Sequence, residues 1–345
     1  MRDQLQSLCE SFLQNRDVLK RRFRMESSYL YPVCANIFCA RGIPAEDDSI
    51  VRCRDLLKEK VGVFSNFRGN LTVPIISMLA TGPNPEGRID QAIENYAALK
   101  DRFFGSQYLA LAAFLLADMG VGRRAAEHVD RGRALYDRMK KEHPFLTSAE
   151  DSVFAVLMAF SDKSDEDLID DMERCYRQLK SRFSSGNAAQ SASHVLAFAP
   201  GDPEEKSDRL IAIYDGLRSA GAKYGKYEQL STLASVSILD VESDQIVQDI
   251  LDVDLWLSGQ KGYGFLSVDR KRRLMHAAML VSDDYCTQDA RYHAILSGDY
   301  ADAAAQTAAQ SAVMTSTLAM LAAQQAALCA SITASSTAAA AAANS

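Results

Sequence analysis

The sequence predicts an all-α fold, an α-solenoid of about seven helix–turn–helix repeats with an alanine-rich C-terminal helix or tail. Three observations predict it. The string Leu-Lys-x-Arg-Phe stands at Leu19–Phe23, Leu99–Phe103 and Leu179–Phe183, at intervals of 80 residues. Halving that interval finds related starts, so that anchors fall at Leu19, Leu57, Leu99, Met139, Leu179, Leu217 and Leu257, spaced 38 to 42 residues apart. No sustained period-2 alternation or hairpin dipeptide is present, so strands are not expected. A helical unit of about 40 residues has the size of a HEAT- or armadillo-class repeat.

Each element of the unit has its own signal. Asn84, Ser164 and Asp202 stand 15 residues before their anchors and are good N-cap residues. Asn84 and Asp202 are followed by proline, which suits the first helical position. Ser164 is followed three residues later by Asp167, a capping-box-like pair. Tyr96, Tyr136, Tyr176 and Tyr214 lie three residues before their anchors, and Phe103 and Phe183 four after, so Tyr-x-x-Leu-x-x-x-Phe places three large side chains on one helical face. The unit then turns through a polar or glycine-containing segment bearing Phe64, Phe104, Phe145, Phe183, Tyr224 or Phe265. A second apolar helix follows, as in 108–117, 152–160, 190–198, 229–239 and 273–281. One hairpin cannot bury both faces, but stacked hairpins share a core, so residues 1–287 are read as one elongated domain. An irregular bundle of the same helices is the alternative.

Residues 288–345 form the predicted appendage. Residues 301–345 hold 20 alanines and a single charge, Asp302, so the other 300 residues carry 82 of the 83 charges. Met314, Leu318, Leu321, Leu328 and Ile332 follow a heptad with Gln325 in the vacant core position. Residues 303–333 are therefore expected to be helical, capping the repeats or self-associating, with the final Ala/Ser/Thr stretch disordered. Membrane insertion is restricted to this tail, since no earlier window is long and apolar enough to span a bilayer.

Charge follows the repeat. First helices open acidic, as at Glu46-Asp47-Asp48 and Asp165-Glu166-Asp167, and close basic, as at Arg21-Arg22 and Lys140-Lys141. Parallel stacking would set an acidic ridge on one edge and a basic ridge, marked by Lys100, Lys140 and Lys180, on the other. Complementation of helix dipoles accounts for these charges. The functional alternative is a basic edge interleaved with aromatics that receives an acidic partner. Nucleic acid is disfavoured by the net charge of −7.

The chemistry-bearing motifs are absent. There is no Walker loop, G-x-G-x-x-G, H-E-x-x-H or G-x-S-x-G. Seven scattered cysteines without a C-x-x-C pair, and an N-terminus without a signal-peptide apolar run, point to a reduced, cytoplasmic setting. Cys34, Cys39 and Cys53 lack zinc-ligand spacing, and no metal or cofactor is assigned. Ser148 is a natural N-cap with Glu150 and Asp151 in the first turn of the following helix. The alternative joins neighbouring repeats. If second helices line a concave surface, Glu26, Arg68, Glu150, Asp151, Gln190 and His194 converge in a polar groove, with His194 and either acid as an acid–base pair. A hydrogen-bonded core histidine is the simpler role for His194.

Five blocks in order carry a family resemblance. They are 24–29 (Arg-Met-Glu-Ser-Ser-Tyr), 62–69 (Gly-Val-Phe-Ser-Asn-Phe-Arg-Gly), 142–151, 187–196 and 260–265 (Gln-Lys-Gly-Tyr-Gly-Phe). Together they resemble the bacterial domain of unknown function 4003 over roughly residues 3–286. Ala322–Ala327 is similar to the tails of such proteins, whereas Thr287–Tyr300 departs from them. The resemblance implies a Gram-positive, cytoplasmic protein and brings no activity, cofactor or site residue. The sequence as a whole points to a non-enzymatic repeat protein that binds a protein or peptide, with an enzyme or small-ligand groove as the alternative.

Overall fold

The computed structural model describes residues 1–120, 124–264 and 267–287. The predicted tail (288–345, with the heptad helix 303–333) and Phe265 lie outside the described residues. Fourteen α-helices and no strand occur among those described. The odd-numbered helices are α1 (Asp3–Arg22), α3 (Asp47–Lys60), α5 (Pro85–Lys100), α7 (Arg124–Glu142), α9 (Asp165–Arg182), α11 (Pro203–Ser219) and α13 (Ser243–Ser258). Alternating with them are α2 (Leu30–Ala40), α4 (Thr72–Ala80), α6 (Gln107–Asp118), α8 (Asp151–Met158), α10 (Gly186–Phe198), α12 (Leu230–Ser237) and α14 (Arg270–Thr287).

The helices pack as two compact units. In the unit of residues 11–160, α3 packs on α5 and α5 on α7, while α2 lies on α4 and α6 on α8. The other unit joins residues 1–10 to the described residues from 161 onward. There α9, α11 and α13 form one layer and α10, α12 and α14 the other. Each odd helix from α3 on also packs against the even helix that follows it.

One register runs through all seven odd helices. The anchor is buried at Leu19, Leu57, Leu99, Met139, Leu179, Leu217 and Leu257. The positions four and seven residues earlier are buried as well, as at Cys53 and Ile50, Asn95 and Ala92, Cys175 and Met172, and Ile213 and Leu210. The residue after the anchor is exposed every time. This i, i+3, i+7 stripe is the single apolar face that a helix at a protein surface presents to its core. The even helices have no such asymmetry. Every residue of α8 and of α12 is buried, which marks them as interior helices.

The caps hold as read. Asn84 Oδ1 accepts from Gly87 N–H, Ser164 Oγ from Asp167 N–H, and Asp202 Oδ1 from the N–H groups of Glu204 and Glu205. The register also explains Gly132, seven residues before Met139. A Cβ there would meet Val156 Cα at 3.4 Å and Ala155 O at 3.5 Å, so α7 and α8 approach backbone to backbone. Gly132→Ala is expected to be tolerated, whereas Gly132→Leu should cost about 1–3 kcal/mol by wedging the helices apart, measured by urea denaturation. Equal stability of the two variants would contradict the close approach.

The aromatic positions act between repeats and not along one helix. Tyr96 meets Phe67, Tyr136 meets Phe103, and Tyr214 meets Phe183, edge to face at 5.4, 5.8 and 4.9 Å between ring centres. Each tyrosine thus packs on the turn of the preceding unit, where Asn66 Nδ2 also donates to Tyr96 OH at 2.6 Å.

Charge departs from the two expected ridges. The basic ends pair with the acidic openings of the next odd helix. Arg21 and Arg22 hold Asp47, Lys60 holds Glu86 and Asp90, and Arg102 holds Asp130. Arg174 holds Asp202 and Glu204, while Gln178 donates to Asp208. The constant offset of 30 residues in Lys60–Asp90, Arg174–Glu204 and Gln178–Asp208 falls short of the 40-residue repeat. Within their units, α3 and α5, and α9 and α11, are therefore parallel but staggered by roughly ten residues, about 15 Å of helix. That stagger brings opposite ends, and opposite charges, together.

Carboxylates largely shielded from solvent supply the remaining fasteners. Asp118 takes Arg88 and Arg41, with Arg41 Nη2 at 2.9 Å, and Asp171 takes Lys163 and Lys206. Arg2 bridges Asp249 at 3.0 Å and Asp284 at 2.7 Å, while Tyr285 OH also donates to Asp249. This last cluster joins the first helix to the last two, a contact that a strictly linear stack, in which each repeat touches only its neighbours, does not make.

Candidate functional site

The turns that leave the odd helices expose large apolar side chains at matching places. Met25, Phe64, Phe104 and Phe145 follow their anchors by five to seven residues, and each is at least 93% exposed. Val63 adds to the second of these turns. All five belong to the 11–160 unit. An exposed phenylalanine on its own needs no explanation, but recurrence in equivalent turns makes an edge with a defined pattern. The turn residues Phe183 and Tyr224 behave differently. Both are buried, Phe183 against Tyr214 and Tyr224 with its hydroxyl donating to Gln229 O at 3.1 Å.

Exposed cations stand at two turns of this edge, Lys100 and Lys140, and Lys180 holds the same place after its anchor in the other unit; all three are exposed. Lys140 Nζ donates to Thr147 O at 2.6 Å, and Lys180 Nζ to Ser184 O at 2.7 Å. These two ammoniums close their own turns, and Lys100 Nζ lies 5.9 Å from the ring centre of Tyr96. The lysines therefore hold the shape of the turns while keeping positive charge at their rims.

The predicted groove residues divide between the two units. Glu26, Arg68, Glu150 and Asp151 fall in residues 11–160, and Gln190 and His194 in the other unit. Glu26 is half-buried in the turn before α2, and its carboxyl is raised by desolvation. Arg68 is half-buried just before the short 3₁₀ turn Gly69–Leu71. Gln190 and His194 are buried one turn apart on α10. Asp151 is buried at the start of α8, where its Oδ2 accepts the Ser148 N–H at 2.7 Å. Ser148 thus stands two residues before Glu150, which caps α8 without a side-chain hydrogen bond, so the expected Ser148 cap gives way to a turn fastened by Asp151. Burial pushes the Asp151 carboxyl up to about 7, against the opposing pull of the Ser148 hydrogen bonds.

Sequence reasoning named the turn phenylalanines but missed Met25, whose thioether does not stand out as an aromatic does. Its signal was positional, six residues after Leu19. Among the described residues, no group of three His, Cys, Asp or Glu side chains is arranged to hold a metal ion. No described helix is long and apolar enough to cross a membrane.

Comparison with known proteins places the chain. The family model described as "Protein of unknown function (DUF4003)" matches residues 15–326. The chain belongs to the DUF4003 family. Its blocks at 24–29, 62–69 and 142–151 contain the exposed turn residues Met25, Phe64 and Phe145. This DUF4003 chain is also 28% identical over 158 residues to "Uncharacterized protein YeaA" of Bacillus subtilis (strain 168), a match covering 45% of the chain and 48% of that relative. The chain thus spans about half the length of the curated relative it matches. No solved structure matches it.

Proposed function

We propose that this DUF4003 protein is an α-solenoid-type repeat protein that binds a protein segment along its turn edge, without catalysis. The observation that carries the reading is the recurrence of Met25, Phe64, Phe104 and Phe145, nearly fully exposed in successive turns five to seven residues after their anchors. The solenoid reading itself is supported by the common burial register and by the two-layer packing inside each unit. The partner chemistry follows from the edge. Apolar side chains would cover the phenylalanines, and acidic ones would meet the flanking lysines and arginines. Successive helices stack about 10 Å apart and are offset by about 15 Å along their axes, so the Phe64, Phe104 and Phe145 turns suit an extended segment of roughly ten or eleven residues. A reduced, cytoplasmic setting belongs to the same reading, supported by the burial of Cys9, Cys34, Cys39, Cys53, Cys175 and Cys286 as thiols.

Selection from a displayed peptide library on the full chain tests it. Recovered peptides should alternate large apolar with acidic residues, and their binding should weaken as salt rises. The triple variant F64S/F104S/F145S should bind at least about tenfold more weakly with an unchanged melting temperature, since side chains this exposed lose little on truncation. Unchanged peptide binding would remove the reading. So would an edge that captures only anionic phosphatidylglycerol vesicles, which would make it a membrane contact.

A further inference from the structure

The 161–287 side of the molecule carries a concavity of about 400 Å³ rimmed by Arg182, Arg218, Lys223, Lys226 and Lys271, with no carboxylate in its lining. Its cations come from the ends of α9 and α11, from the turn between α11 and α12, and from the first turn of α14. A second concavity of about 680 Å³ shares Lys223 and Lys271 with the first. We propose that the first concavity binds a small oligophosphate anion, a linear ligand carrying several phosphoryl groups.

Three observations lead there. Several cations elsewhere in this unit are neutralised, Lys163 and Lys206 by Asp171, Arg174 by Asp202 and Glu204, and Arg273 by Asp254, while Lys180 and Arg209 reach backbone carbonyls. Arg218, Lys223, Lys226 and Lys271 have no ion pair among the described residues, although they share one hollow. Converging like charges repel, and a concave wall focuses their field, so a bound anion relieves a standing cost. Lys271 also stands at the wrong end of its helix. Cations near a helix N-terminus oppose the dipole, and α14 opens with Arg270, Lys271, Arg272 and Arg273. Arg270 and Arg273 reach Asp254, and Arg272 reaches Asp269, which leaves Lys271 uncompensated. A locally unfavourable residue beside a cavity points to use.

The ligand class follows from the arrangement. Arg182 is fixed by Asp215 and lies over the rings of Phe183 and Tyr214, at 5.7 and 5.5 Å. Phe183, Tyr214 and Tyr224 line its floor and are themselves buried. The volume suits one small molecule. Lysine ammoniums on separate segments act as independent point charges, matching several phosphoryl groups better than one planar carboxylate.

Calorimetric titration of the full chain with inorganic tripolyphosphate is the test, with orthophosphate and citrate as comparison anions. The expected result is single-site binding, at least about tenfold tighter than either comparison anion. The K223Q/K271Q variant should lose at least tenfold, K223R/K271R should retain binding, and K58Q, an exposed lysine of the other unit that does not line the hollow, should not alter it. A melting temperature unchanged or raised in K223Q/K271Q would tie the loss to the site. No binding, binding equal to that of citrate, or binding unaffected in K223Q/K271Q would overturn the proposal.

Discussion

Asp118→Ala is expected to lower the stability of residues 11–160 by about 3–5 kcal/mol. Asp118 is 7% exposed, at the end of α6, and two guanidiniums converge on it. Arg88 comes from α5, with Nε at 2.8 Å from Asp118 Oδ1, and Arg41 from the end of α2. The pair of arginines is itself mostly buried, at 11% and 14% exposure. Removing the carboxylate leaves both charges in the interior facing one another, which is costlier than losing a hydrogen bond. For a unit of this size the melting temperature should fall by roughly 10 °C. Asp137→Ala is the matched control, because its Arg133 pair is exposed on α7 and should contribute less than about 1 kcal/mol. Urea denaturation of both variants checks the contrast. Similar losses in the two would show that Asp118 is not the fastener described here.

The second large effect is a pH dependence. The Asp151 carboxyl is raised by desolvation from an ordinary 3.8 to about 7 in the folded protein. A folded-state value above the unfolded one means that the native state prefers the protonated acid. The stability it confers is therefore fully present below about pH 4 and is lost as pH rises through 7. Asp151→Asn keeps an oxygen for the Ser148 N–H and abolishes the titration. The variant should match the natural protein near pH 4 and become increasingly more stable than it from there to pH 8, by at most about 4 kcal/mol. Melting curves across that range test the sign. A variant less stable than the natural protein at pH 8 would show that the charged carboxylate is favoured in the native state.

The parts of this fold that were legible in the sequence are those set within one helix. The anchor register, the Asn84, Ser164 and Asp202 caps and the buried leucines depend on spacing along the chain, and each appears where that spacing puts it. What depends on how helices lie against one another was not legible. Acidic openings and basic closings look like dipole complementation in a single helix, and only the stagger shows that Arg22 meets Asp47 or Arg174 meets Glu204. The Tyr–Phe pairs were read along one helix, although the partner of Tyr136 is Phe103 of the preceding unit. The candidate edge was half legible. Its phenylalanines were named as turn residues, but sequence does not distinguish the exposed Phe104 from the buried Phe183, which meets a tyrosine. The cationic hollow left a weaker trace in Lys223-Tyr224-Gly225-Lys226-Tyr227, because its fifth cation, Lys271, arrives from a turn nearly fifty residues away.

The central functional claim is that one edge, made of equivalent turns, receives one partner. Amide hydrogen exchange of the full chain, with and without a selected peptide of alternating apolar and acidic residues, tests it most directly. Added protection is expected at residues 62–66, 102–106 and 143–147 together, disappearing in F64S/F104S/F145S. Protection confined to a single turn, or located outside these turns, would contradict it.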